Sequence, residues 1–300
     1  MRQDSGFSWG SRCYVMGILN VTPDSFSGDG LAPGQGMIGR LIDRAAGFVG
    51  SGADILDVGG ESTRPGAEPV SADEELERVV PAITALSARF PATVLSVDTS
   101  KAAVAAAALD AGAHWVNDVW ALQADPSMAA LVAARKAPVV LMHNRSRPKA
   151  VASIPRLGGE YVGANYRHLM DDVTAELERL AKNAVAAGIE RGRIILDPGI
   201  GFGMNALQNM ALINHLDRVK RLGFPVLIGP SRKSFVGRVL DLGPEEREEG
   251  TAACIAVGIV RGADIVRVHD VRTAARVAKM TDAIIRAPAD GGVGGSGKGA

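Results

Sequence analysis

Eight times along this 300-residue chain a short apolar run ends abruptly on polar residues or a glycine. Ile18-Leu19-Asn20, Ile55-Leu56-Asp57, Leu95-Ser96-Val97-Asp98 and Trp115-Val116-Asn117-Asp118 come first. Leu141-Met142-His143, Ile195-Leu196-Asp197 and Val266-Arg267-Val268-His269 repeat the pattern, and Leu227-Ile228-Gly229 leads into Ser231-Arg232-Lys233. Alanine-rich segments of helical period lie between them. Unbroken apolar runs mark strands covered on both faces, as parallel strands are, so the alternation predicts an α/β protein. Eight such units predict a closed parallel (β/α)8 barrel, the TIM barrel. The active site is then expected at the carboxyl-terminal rim of the strands, where the polar residues that end the runs converge.

The strands are placed at 14–19, 54–58, 93–97, 115–117, 138–142, 193–196, 225–228 and 265–268. Ser71 followed by Glu74 has the spacing of a capping box and opens a helix. Alanine dominates 101–111, and 165–187 is the longest helical pattern, ending on Gly188. Two connections are long, 20–36 and 144–163, a length expected of functional lids or of disorder. No linker divides 12–287, which reads as one barrel domain, and the glycine-rich residues 288–300 read as a flexible tail.

Composition narrows the function classes. Apolar residues make up 47% and charged residues 22%, enough for a sizeable core. Lys plus Arg and Asp plus Glu balance at 33 each, so no overall basic field draws nucleic acid or a membrane surface, and anion recognition has to be local. Cys13 and Cys254 are too few and too far apart for a disulfide framework or a thiolate metal site, and are expected to be reduced, buried thiols. The first ten residues lack an apolar stretch of signal-peptide length, and no uncharged apolar run approaches the roughly 18 residues of a membrane span. A cytoplasmic protein is expected.

The strand-end residues carry the chemistry. Asp98, Asn117 and Asp197 are expected in one deep hole, where two carboxylates and an amide complement the edge of an amino-pyrimidinone heterocycle. Each charge-assisted hydrogen bond there contributes roughly 1.5–3 kcal/mol. Arg267 and His269 are two apart on a strand and share a face, forming an anion site, while Val266 and Val268 face the helices. Thr63 and Arg64, after the second strand, add a hydroxyl and a second guanidinium. His114, His168 and His215 belong to no motif.

Seven motifs in order resemble dihydropteroate synthase, a family of pterin-binding barrels: Asn20-Val21-Thr22-Pro23-Asp24-Ser25-Phe26-Ser27, Gly59-Gly60-Glu61-Ser62-Thr63-Arg64-Pro65-Gly66, Ser96-Val97-Asp98-Thr99, Asn117-Asp118-Val119, Asp197-Pro198-Gly199-Ile200-Gly201-Phe202-Gly203, Ser231-Arg232-Lys233-Ser234-Phe235 and Arg267-Val268-His269-Asp270. The resemblance implies a transferase of folate biosynthesis. Such an enzyme condenses 6-hydroxymethyl-7,8-dihydropterin pyrophosphate with 4-aminobenzoate to 7,8-dihydropteroate, by dissociative loss of pyrophosphate. It implies that Asp98, Asn117, Met142, Asp197 and Lys233 bind the pterin, with Asp98, Lys233, Arg267 and His269 as the catalytic set. Thr63, Arg64, Arg267 and His269 would hold the pyrophosphate, and Phe26, Pro65, Phe202 and Ser234 the 4-aminobenzoate. Asn20 would coordinate Mg²⁺ together with the pyrophosphate. Sulfonamides as competing ligands and a homodimer are implied as well.

The chain departs from the family pattern at Gly28-Asp29, where the loop acid falls one place late, and at Trp120, Met204 and the loop 143–146. Two other readings share the Asp98–Asn117–Asp197 hole. One is a pterin-dependent methyltransferase, which has no use for a pyrophosphate clamp; the other is a non-catalytic pterin-binding paralogue. The composition of 20–36 further predicts a lid that closes on pyrophosphate and metal, so that 4-aminobenzoate binds second.

Overall fold

The computed structural model describes residues 6–22, 36–62, 67–146, 151–154, 158–161 and 165–288, the stretches 151–154 and 158–161 as main chain. The barrel opens with β1 (Tyr14–Asn20), α1 (Met37–Gly50), β2 (Ile55–Gly59), α2 (Ala72–Arg89), β3 (Val94–Asp98), α3 (Ala102–Asp110), β4 (Trp115–Asp118), α4 (Met128–Arg135) and β5 (Val139–Met142). A hairpin of β6 (Val151–Ile154) and β7 (Gly158–Tyr161) follows, then α5 (Leu169–Ala186), β8 (Ile194–Asp197), α6 (Ala206–Asn214) and α7 (Asp217–Lys220). The chain ends with β9 (Leu227–Ile228), α8 (Ser234–Leu240), α9 (Glu248–Val260), β10 (Ile265–Val268) and α10 (Val271–Ile285).

Eight strands form one parallel sheet in the order β8-β5-β4-β3-β2-β1-β10-β9. A parallel bridge between Leu196 and Val226 joins its two ends, and the Leu196 amide donates to the Pro225 carbonyl at 2.9 Å. The barrel predicted from the apolar runs is therefore closed. Strand periodicity divides each run. Val15, Leu19, Leu56, Val58, Leu95, Val97 and Val116 face outward into the layer shared with the helices. Tyr14, Met16, Ile55, Trp115, Val140, Ile195, Leu227 and Ile265 fill the interior at the amino-terminal end. Phe7 and Trp9 stack beneath them, 5.2 Å apart, and Phe7 meets Tyr14 and Trp115 edge-on. Burying side chains of this size contributes roughly 1.5–3 kcal/mol each, so this end of the barrel is a packed floor.

Local signals were honoured with small shifts. The Ser71 hydroxyl accepts from the Glu74 amide, and the Glu74 carboxylate accepts from the Ser71 amide, closing the capping box. The segment expected to be helical from 165 begins at Leu169, because the main chain at His168 is still extended. Cys254 is only half-buried, unlike Cys13. The hairpin of β6 and β7 lies inside what reads as one long loop, its two strands of four residues being too short and too mixed for a periodic signal. Among the described residues no helix is long and apolar enough to cross a membrane. The tail from 289 onward lies outside the described residues.

Candidate active site

Strand parity decides which of the strand-end polar residues enter the barrel. The interior positions above the apolar floor are Ile18 and Asn20 on β1, Asp57 on β2, Ser96 and Asp98 on β3, Asn117 on β4, Met142 on β5, Asp197 on β8 and Arg267 on β10. Asp118 and His143, one step further on, point away. Asp118 is fully buried and accepts from the Trp120 and Leu122 amides, capping the turn after β4. His143 is fully buried with Nε2 3.1 Å from the Glu176 carboxylate, a close approach without the alignment of a hydrogen bond. Not every polar residue ending a run therefore converges on the rim, because a one-residue step reverses the face.

A cavity of about 340 Å³ opens at the carboxyl-terminal mouth. Asn20, Asp98, Asn117, Met142, Asp197, Phe202, Lys233, Ser234, Arg267 and His269 all line it. Arg267 stands at its centre of charge. Its Nε donates to Asp57 Oδ2 at 2.6 Å and its Nη2 to Asp98 Oδ2 at 2.6 Å. Burial works against the Arg267 charge, but Asp57 and Asp98 more than offset it, and its pKa is raised. Nη1 makes no hydrogen bond within the described residues. The guanidinium thus belongs to a buried carboxylate network, which spacing on the strand does not reveal.

The two cavity acids are held close to their titration points. Burial pushes Asp98 up to about 7, against the pull of Arg267 and with a further push from Asp57, Glu75 and Asp118. Burial likewise raises Asp197 to about 6, although the Gly199 amide donates to its Oδ1 at 2.7 Å and Lys233 lies near. Lys233 is lowered to about 8, by burial first and then by Arg267. Its ammonium sits 4.1 Å from the centroid of the Phe202 ring, a cation–π contact that fixes the side chain.

The loop after β8 is shaped for this contact. Gly199 and Gly201 have φ of 77° and 83°, where a side chain is strained. A Cβ on Gly199 would stand 1.9 Å from the His143 carbonyl oxygen, and one on Gly201 would stand 2.6 Å from Lys233 Cδ. The buried Asn209 amide clamps the loop by accepting from the Gly201 amide at 2.6 Å and donating to the Met204 carbonyl. Phe202 then packs with Val119, Met142 and the half-buried Trp120 as the apolar wall, so the unusual residue at 120 serves as packing.

On the opposite side, Arg232 adopts φ of 57° and donates to Glu248 and Glu245 at 3.0 and 2.7 Å. That turn delivers Lys233 to the cap of α8 and Ser234 to its first position. The Ser231 hydroxyl accepts from the His269 amide at 3.2 Å and lies 3.0 Å from His269 Nδ1.

Lys101 bridges Glu61 and Glu75 at 2.5 and 2.6 Å, and Glu61 accepts from the Val70 amide. This group secures the two ends of the loop that carries Thr63 and Arg64. Thr63, Arg64 and Pro65, together with Phe26 and the Gly28-Asp29 shift, lie outside the described residues. Sequence reading missed Asp57, Ser231, Glu61, Glu75 and Lys101 as parts of the site. Asp57 had a signal, a carboxylate on the inward parity of a strand, and Glu61 and Ser231 stand in the quoted motifs; Glu75 and Lys101 depend on contacts between distant segments.

Among the described residues no group of three or more His, Cys, Asp or Glu stands ready to hold a metal. Asn20 offers a single neutral oxygen in the cavity wall. That donor set fits Mg²⁺, which takes few protein ligands and fills its shell with phosphate oxygens and water.

The pattern of the family described as pterin binding enzyme matches residues 16–269. The chain is 47% identical over 281 residues to dihydropteroate synthase of Bacillus subtilis, covering 94% of this chain and 92% of that one. It is similar to a dihydropteroate synthase structure from Clostridium difficile in the presence of pteroic acid, with TM-score 0.84 and 43% identity over 93% of this chain and 99% of that one. The Xanthomonas albilineans dihydropteroate synthase with 4-aminobenzoic acid gives TM-score 0.83 and 40% identity, over 92% and 94%. A match of this extent, carried by a closed barrel, has one meaning: the chain belongs to the pterin-binding enzymes, within the dihydropteroate synthase family.

Proposed function

We propose that this chain condenses 6-hydroxymethyl-7,8-dihydropterin pyrophosphate with 4-aminobenzoate, giving 7,8-dihydropteroate and pyrophosphate. The observation that carries the reading is the sharing of one cavity by Asp98, Asn117, Asp197, Lys233, Arg267 and His269. The acids and the amide take the edge of the pterin, and Met142 and Lys233 lie against the ring. Arg267 and His269, with Thr63 and Arg64, take the pyrophosphate. Phe202 and Ser234, with Phe26 and Pro65, take the 4-aminobenzoate, and sulfonamides compete for the same place. Asn20 would hold Mg²⁺ in company with the pyrophosphate, and the ion would supply positive charge there when bound.

In the reaction the bond between the pterin methylene carbon and the pyrophosphate oxygen breaks, and its electron pair leaves with pyrophosphate. Arg267 and His269 stabilise that charge as it forms. Asp98 and Asp197, ionised, stabilise positive charge spreading through the pterin. The arylamine lone pair then closes the new carbon–nitrogen bond and the nitrogen loses its proton to solvent water. No nucleophilic side chain is required. The pyrophosphate clamp favours this reading over a pterin-dependent methyltransferase, and the intact catalytic set favours it over a non-catalytic paralogue.

Turnover with both substrates, with and without Mg²⁺, is the test. Dihydropteroate formed only with the metal supports the whole reading, and pterin binding without turnover leaves the paralogue. We further propose a cytoplasmic homodimer. Its support is the row of exposed apolar residues Val239, Leu240, Val257, Val260, Met280, Ile284 and Ile285 on α8, α9 and α10. Light scattering should give twice the 31.2 kDa chain mass, and polar replacement of Val260 with Ile284 should halve it.

A further inference from the structure

Asp57 is a buried carboxylate to which the proposed reaction assigns no role. It faces the barrel interior from β2, is fully buried and does not line the cavity. Its Oδ2 accepts from two residues that do line it, Arg267 through Nε at 2.6 Å and Asn117 through Nδ2 at 2.9 Å. That oxygen already accepts from the Arg267 guanidinium, and the end of the Asn117 amide that meets it is nitrogen. Turning that amide over would set its carbonyl oxygen against the carboxylate, two buried acceptors face to face. Asp57 thereby removes one of the two orientations open to an amide. The same oxygen, through Nε, sets the plane of the Arg267 guanidinium, whose Nη2 is already held by Asp98 at 2.6 Å. With two of its three nitrogens engaged, the guanidinium presents Nη1 in one direction.

We propose that Asp57 is a positioning residue that holds Asn117 and Arg267 in their binding geometry before the ligand arrives. The proposal rests on the reading of the cavity as the pterin pyrophosphate site. One carboxylate would then couple recognition of the ring, through Asn117, to recognition of the leaving group, through Arg267. Groups locked in advance lose less freedom on binding, which is the general source of preorganised affinity. A merely structural carboxylate would show itself in stability and leave the ligand contacts alone.

Asp57→Asn keeps the shape, removes the carboxylate and adds an amide donor where Asn117 donates. In nitrogen-15 spectra of the free protein, the Asn117 side-chain amide is identified as the signal lost in Asn117→Asp. It should move or broaden in Asp57→Asn. Calorimetry with 6-hydroxymethyl-7,8-dihydropterin pyrophosphate should show affinity reduced roughly 10- to 100-fold, while KM for 4-aminobenzoate stays within about twofold. An unaltered Asn117 signal, or pterin pyrophosphate affinity within about threefold of the parent, overturns the proposal. Should Asp57→Asn fail to fold, Asp57→Ser removes the same carboxylate and carries the same comparison. If the parent does not bind pterin pyrophosphate at all, the proposed function fails, and the Asn117 signal still decides the role of Asp57.

Discussion

Asp98 and Asp197 face two opposed demands, and each can be measured. In the proposed complex, donors on the pterin edge favour the ionised carboxylates, whose pKa values in the free protein are raised to about 7 and about 6. Ligand binding near pH 6.5 should therefore release protons, and affinity should weaken as pH falls below about 7. Calorimetry in buffers of different ionisation enthalpy reads both. Asp98→Asn should bind roughly 10- to 100-fold more weakly at pH 8 and lose most of that pH dependence.

The free protein bears the cost of those acids. A carboxyl group whose folded pKa exceeds its unfolded value of 3.8 stabilises the fold below that value and loses the contribution as pH rises through the folded pKa. For Asp98, Asp118 and Asp197 the loss spans about pH 4 to 7. Glu176 runs the other way. The close approach of His143 and hydrogen bonding from Arg145 lower it to about 2 despite partial burial, so its contribution is lost as pH falls from 4.5 toward 2. Asp197→Asn should therefore raise the melting temperature at pH 8 by the equivalent of about 1–3 kcal/mol and change little at pH 4. An unchanged melting temperature at pH 8 would remove burial as the cause of the shift.

Among the elements, the loop between β8 and α6 governs the site most directly, and its two tight glycines separate stability from function. At Gly201 a methyl group meets Lys233 Cδ, part of a flexible chain that can move aside. Gly201→Ala should cost about 1–2 kcal/mol of stability for the left-handed backbone and lower kcat about tenfold or more by displacing Lys233. At Gly199 the obstacle is the main-chain oxygen of His143, 1.9 Å away, which cannot yield without parting β5 from β8. Gly199→Ala should lose more than about 3 kcal/mol. Denaturant titration of both variants, beside steady-state kinetics of the first, checks the contrast.

At the scale of the whole molecule the barrel has a stability end and a chemical end. Phe7 and Trp9 close the floor under Tyr14 and Trp115, at the opposite end of the strands from Asp98 and Arg267. Phe7→Ala should therefore cost about 2–3 kcal/mol and leave KM for both substrates unaltered. A change in KM would mean that the floor reaches the site through the interior layer.

By itself the sequence determined the barrel, because apolar runs covered on both faces and separated by helical segments admit few other arrangements. It also determined which residues meet at the mouth. Asp98, Asn117, Asp197 and Arg267 each stand on the inward parity of a short strand, and parity is a local property. What those residues do to one another was settled only by closure of the sheet. Arg267 reaches Asp57 and Asp98 across 210 and 169 positions of chain, and Lys101 joins Glu61 to Glu75 from a third segment. Neither pairing leaves a mark in spacing or propensity. The same holds for the raised pKa values of Asp98 and Asp197, since desolvation depends on how the surrounding strands close around a carboxylate and not on its neighbours in the chain.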